Sequence, residues 1–195
     1  MSAGAGVKLV FIDIDGVMNN TADRTSYLSY DPKRYGLSKR NVFALRRILK
    51  RTGAKLVLST SWRNHPPDYC HQYRGLLFRS PLKRFVRAIG KRSFFWDGAA
   101  PHMAGFQKYY DILGFFYRNG LSIGETRFAV LDDQANQLLE KFSESFFLID
   151  GRTGLTGSVA EGVITHLNRE ERPCWTGNLR LSSASGTTRS SAGKA

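Results

Sequence analysis

Acidic side chains are nearly missing from one long stretch of this chain. Between Arg24 and Arg92 only Asp31 and Asp68 stand against 18 lysines and arginines, and the whole chain carries a formal charge of +13. An imbalance of that size favours polyanionic partners over acidic or neutral ones. Cysteine is scarce too: Cys70 and Cys174 are the only two, which excludes a disulfide-built scaffold and fits a reducing compartment. His65, Cys70 and His71 lie close together, but no second pair stands at ligand spacing, so a zinc site lacks its other half. No apolar run nears the ~20 residues that span a bilayer. Met1 to Gly6 lacks the basic start and apolar core of a signal peptide. A soluble, intracellular, cytoplasmic protein is expected, with no membrane partner. The run Gly4-Ala5-Gly6-Val7-Lys8 lacks the spacing of a phosphate loop and leads into a strand. No internal repeat is visible.

What is present is a normal globular share of hydrophobic residues, 42% of 195, enough for one domain with a full core. Lys8 to Ile14 reads as a buried strand, Ser38 to Thr52 as a helix capped by Ser38 and closed by Gly53, and Lys55 to Ser59 as a second strand. Leu82 to Ile89 reads as a helix ended by Gly90, and Ser93 to Trp96 as a third strand. Phe106 to Tyr117 (helix), Arg127 to Leu131 (strand), Gln134 to Phe142 (helix), Phe146 to Ile149 (strand) and Val159 to Leu167 (helix) complete the series. Strict alternation predicts an α/β fold, a three-layer doubly wound parallel sheet. Asn20 to Leu37 and Trp62 to Ser80 fall outside the pattern as small insertions, too short for a large cap domain. The expected division is a domain over residues 1–168 and a basic Ser/Gly-rich tail over 169–195, disordered at least from Asn178.

The sharpest chemical feature is Asp13-Ile14-Asp15-Gly16-Val17 at the end of the first strand. Strand alternation points Asp13 and Asp15 the same way, and two carboxylates side by side call for a cation or a shared proton. Gly16 lets the backbone turn sharply after them. A later strand stops on Asp132-Asp133, and the second strand stops on Ser59-Thr60-Ser61. In a parallel sheet these tips are neighbours, so four carboxylates and several hydroxyls converge on one crevice. That donor set suits a hard divalent cation, with magnesium the usual candidate.

These residues resemble the haloacid dehalogenase (HAD) superfamily. More narrowly, FIDIDGVMN, TGAKLVLSTSWR, FAVLDDQ and RTGLT resemble the compact HAD domains grouped with bacterial Swiss Army knife RNA-repair proteins, from about Lys8 to Leu167. The resemblance implies a phosphatase in which Asp13 is the nucleophile and Asp15 the acid and base. It implies magnesium held by Asp13, the Asp15 carbonyl and Asp132, with Asp133 as ligand or supporting group. Thr60 would bind the phosphate, with the Ser61 N–H, and Ser59 would take that place if the register slips by one. Lys108, or alternatively Arg118, would stabilise the phosphoenzyme. Related domains often carry Arg-Gly-x-Glu there, where this chain has Gly105-Phe106-Gln107-Lys108. Gly16, Ser61, Trp62 and Arg63 form the candidate substrate-binding set, with Trp62 able either to stack on a base or to pack under its loop. Gly154-Leu155-Thr156 reads as a structural turn, with Thr156 capping the last helix.

The leading expectation is a phosphatase acting on a phosphomonoester, preferably an RNA or DNA end. A nucleic-acid-binding module that kept the fold without turnover is the alternative. A receiver domain fits poorly, because there the acid pair closes the first strand and the phosphorylated aspartate a later one.

Overall fold

A computed structural model of the chain describes residues 6–23, 36–60, 85, 87–90, 94, 108–134 and 141–169. The described elements are β1 (Lys8–Ile12), α1 (Lys39–Thr52), β2 (Lys55–Leu58), α2 (Lys108–Arg118), β3 (Arg127–Asp132), β4 (Phe146–Leu148) and α3 (Gly157–Asn168). The four strands form one wholly parallel sheet in the order β2-β1-β3-β4.

Side-chain alternation along β1 splits the core into two layers. Val10 and Ile12 face one side, where Leu45, Ile48 and Leu49 of α1 and Val163, Ile164 and Leu167 of α3 pack on them. Leu9 and Phe11 face the other side, against Tyr109, Ile112, Phe115 and Phe116 of α2. That second layer is aromatic. Phe11 meets Phe115 edge-on at 5.2 Å between ring centroids, and Phe116 meets Phe128 at 5.2 Å. Edge-to-face contacts of this kind fix ring orientation as well as burying area. Helices on both faces of a parallel sheet give the expected three-layer α/β fold.

Local signals place the helices. Ser38 caps α1 by accepting the Asn41 N–H at 3.4 Å, and the Gly53 N–H closes it onto the Leu49 carbonyl at 3.1 Å. Thr156 caps α3 in the same way, accepting the Val159 N–H at 3.3 Å. The turn before it is pressed against the loop after β1. The Leu155 N–H donates to the Val17 carbonyl at 2.8 Å, and a Cβ on Gly154 would stand 2.0 Å from Asn41 Nδ2. Only glycine fits that approach.

The topology also fixes where a site can form. From β1 the chain passes through α1 to β2 on one side, and β3 returns to the opposite side of β1. The order therefore reverses between β1 and β3, and the crevice beyond their carboxyl ends is where open α/β sheets take ligands.

Two expectations change. The strand predicted over Ser93 to Trp96 is absent from the described sheet: Phe94, its one described residue, sits in a 3-10 turn and packs on the α1-side core. A run of four residues is too short for hydrophobicity to separate a strand from a buried turn. Strand β4 also ends one residue early, at Leu148. Of the helix predicted over Leu82 to Ile89, Phe85 and residues 87–89 are helical, and of that over Gln134 to Phe142, Lys141 is. Gln134 and Phe142 stand outside any helix, while residues 82–84, 86 and 135–140, most of both insertions, and the tail from residue 170 lie outside the described residues. Among the described residues no helix is long and apolar enough to cross a membrane.

Candidate active site

Strand pairing carries the acidic residues together. The register sets Ile12 beside both Leu58 and Leu131, so the next positions, Asp13, Ser59 and Asp132, emerge side by side. Two backbone bonds extend the pairing to that level: the Asp13 N–H donates to the Leu131 carbonyl at 3.0 Å, and the Ser59 N–H donates to the Ile12 carbonyl at 2.8 Å. Asp13 and Asp132 are both buried, and Asp133 is half-buried. Carboxylate oxygens of these three residues lie within 4.8 Å of one another, an arrangement able to hold a metal ion.

The loop after β1 is built around Gly16. Its φ is +70°, and a Cβ there would lie 2.1 Å from Asp133 Oδ2, so a side chain would be strained and would also collide with the acidic cluster. The buried Asn19 ties the loop down. Its Oδ1 accepts the Gly16 N–H at 2.9 Å, while its Nδ2 donates to Asp15 Oδ1 at 2.8 Å. The Asp15 carboxylate is thus held by Asn19, outside the three-carboxylate group. Asp13 Oδ1 accepts the Ile14 N–H at 2.6 Å, and Asp132 Oδ1 accepts the Gln134 N–H at 3.0 Å.

Lys108 opens α2 and points its ammonium into this crevice. Nζ donates to Asp13 Oδ2 and, at 2.6 Å, to Asp132 Oδ2. Arg118, the alternative cation, is exposed at the other end of the same helix, about 15 Å away along its axis. Burial alone would lower the Lys108 pKa, but Asp13 and Asp132 outweigh it and hold the amine above its ordinary value, firmly charged. Burial raises the Asp132 carboxyl, with Lys108 opposing and Asp13 reinforcing the shift. Burial also raises Asp133, helped by repulsion from Asp132 and Asp13. One ammonium against three crowded carboxylates leaves a negative excess that a divalent cation with oxygen ligands would relieve.

Ser59 and Thr60 are both buried at the end of β2. Ser59 Oγ has no hydrogen-bond partner among the described residues. A buried hydroxyl left unmatched is uncommon and suits a group that meets a ligand. Ser61, Trp62 and Arg63 lie outside the described residues. Asn19 carries no signal in the sequence beyond its place as the last letter of FIDIDGVMN. Gly151 carries none either, yet a Cβ there would come within 3.1 Å of Asp133 Oδ2.

Residues 9–160 match the family model of the HAD domain in Swiss Army Knife RNA repair proteins. The chain belongs to this family. No curated protein and no solved structure matches the chain. Membership of this HAD family points to phosphatase-type chemistry, and the acidic cluster of the domain offers a metal site where such chemistry needs one.

Proposed function

We propose that this HAD domain is a magnesium-dependent phosphomonoesterase that works through an aspartyl-phosphate on Asp13. The observation that carries the reading is the convergence of Asp13, Asp132, Asp133 and Lys108 at the point where the strand order reverses. The donors are all carboxylate oxygens, two of them with raised pKa values, and they fit a hard divalent ion. Asp13, Asp132, Asp133 and the Asp15 carbonyl would hold magnesium, which supplies charge neutralisation for the phosphoryl oxygens.

The chain's own groups then divide the work. Asp13 attacks phosphorus in line as the bond to the leaving alkoxide breaks, and Asp15 gives that oxygen its proton. Asp15 next takes a proton from a water molecule, whose oxygen attacks the phosphoryl group, frees inorganic phosphate and restores the Asp13 carboxylate. Asn19 is a positioning residue, since its amide fixes Asp15. Lys108 balances charge on the phosphoryl oxygens. Ser59 or Thr60 supplies a hydroxyl to the same oxygens.

The substrate class is an RNA or DNA end. Support comes from the cationic excess between Arg24 and Arg92 and from a family described by RNA repair. A magnesium-dependent screen should show faster hydrolysis of oligonucleotide 3′- or 5′-phosphates than of sugar phosphates. Asp13→Asn should lower turnover at least about a thousandfold. Equal rates on sugar phosphates would remove the substrate assignment, and an active Asp13→Asn variant would remove the mechanism.

One observation favours the second reading, a binding module without turnover. The Lys108 ammonium lies against two of the carboxylates and supplies one positive charge there itself. Saturable nucleic-acid binding with no metal-stimulated hydrolysis of any phosphomonoester would select it.

A further inference from the structure

Helix α1 presents an outward face that the fold does not explain. Its exposed positions are six cations and one aromatic residue, Phe43, and the helix contains no acid. Three of the cations are tied down: Arg40 pairs with Asp23 at 2.6 Å, while Arg47 and Arg51 share Glu161 of α3 at 2.5 and 2.9 Å. The other three, Lys39, Arg46 and Lys50, stand four before, three after and seven after Phe43. They therefore lie along one flank of its ring. None of these three has an ion-pair partner among the described residues.

Phe43 is 72% exposed. A lone exposed aromatic is ordinary, but here every exposed neighbour on the helix is a cation. Helix stability does not account for the pattern. Arg46 and Lys50 repel each other at four-residue spacing, as do Arg47 and Arg51, and Lys39 and Arg40 put positive charge at the helix N-terminus, where a negative group would be favoured. The apolar side of α1 is already spent on the core through Leu45, Ile48 and Leu49, so the helix cannot turn it toward a lipid surface.

The face also begins beside the candidate site. The Ser38 N–H donates to the Met18 carbonyl at 2.9 Å, and Asn41 Nδ2 donates to the Val17 carbonyl at 3.1 Å. Both acceptors belong to the loop that carries Asp15 and Gly16. From there the helix runs away from the crevice for about 21 Å.

We propose that the outer face of α1 binds single-stranded nucleic acid, with Phe43 stacking on an unpaired base and Lys39, Arg46 and Lys50 meeting backbone phosphates. This rests on the phosphatase reading only for its purpose: a strand whose terminal phosphate enters the crevice gains a track for the nucleotides behind it.

The test is fluorescence anisotropy of the full chain, without added metal, on a labelled single-stranded RNA ending in a 3′-phosphate. Phe43→Ala should weaken binding about 5- to 100-fold. A combined Lys39→Gln, Arg46→Gln, Lys50→Gln variant should lower the salt slope by about 2. All four positions are exposed, so thermal midpoints should match the parent. Hydrolysis of p-nitrophenyl phosphate with magnesium should also be unchanged. Unaltered RNA affinity and salt slope in both variants would overturn the proposal. So would an equal Phe43→Ala loss on duplex RNA, or competition by polyglutamate as effective as that by unlabelled RNA, which would indicate an acidic protein partner. If the α1 variants lose RNA while the parent hydrolyses no phosphomonoester, the surface stands and the phosphatase reading fails.

Discussion

Gly16 shows how closely the candidate site is drawn. Its position combines a left-handed backbone with contact against Asp133, and the neighbouring Asn19 clamps both the Gly16 N–H and the Asp15 carboxylate. Gly16→Ala should destabilise the domain by about 1–3 kcal/mol through backbone strain and collision. It should also lower any metal-dependent activity beyond what that loss of stability explains, because Asp133 has to move. Urea unfolding alongside activity at saturating magnesium checks both parts, and an unaffected variant would show that the loop can relax. At this scale the sequence was legible where chemistry repeats a spacing. Asp13, Asp15, Asp132 and Asp133 announce themselves as acids at strand ends. Asn19 does not, since an asparagine in a turn is ordinary and only the folded loop reveals its two bonds. Lys108 was readable as a helix cation, but its choice over Arg118 depends on which end of α2 meets the crevice.

Among the elements, α1 was the easiest to read, because cap, apolar spacing and terminal glycine all agree. Its N-cap does double service. Ser38 Oγ accepts the Asn41 N–H and donates to Asp23 Oδ2 at 2.5 Å, and this bond is the first cause of the lowered Asp23 pKa. Ser38→Ala should therefore cost about 0.5–2 kcal/mol, measurable in the urea midpoint. The run Ser93 to Trp96 was harder. Aromatic residues in a short segment satisfy a strand and a buried turn alike, and the local pattern holds nothing to choose between them.

Helix α3 carries a pH-sensitive contact. His166 Nε2 lies 2.9 Å from the Phe128 carbonyl of β3, an acceptor, so the neutral ring carries its proton on Nε2. Burial lowers the His166 pKa, partly offset by that hydrogen bond. A folded pKa below the ordinary 6.5 means the unfolded chain binds the extra proton more readily. Stability should be flat above that value and fall as pH drops from it toward the folded pKa. His166→Gln should lose less stability than the parent across that window, as read by thermal midpoints between pH 8 and 5. Parallel curves would mean His166 contributes no pH dependence.

On the scale of the whole molecule, alternation of strands and helices was enough to predict a parallel sheet covered on both faces, and hence acidic strand tips on one edge. It was not enough to separate the strand expected over Ser93 to Trp96 from the turn at Phe94, or to assign the insertions, where basic and aromatic residues lack a period. The charge distribution adds what the fold alone does not, a basic helix, α1, that starts beside an acidic crevice. That pairing suits a substrate with one phosphate to be cleaved and others to be held. In the proposed mechanism the crevice between β1 and β3 makes Asp13 a phosphoryl acceptor. The most direct test is acid quenching during turnover of a 3′-phosphorylated RNA with magnesium, followed by mass spectrometry of the peptide containing Asp13. The expected result is a phosphoryl adduct on Asp13 that is absent without magnesium and absent in Asp13→Asn. Hydrolysis proceeding with no adduct there, or with one on another residue, would contradict it.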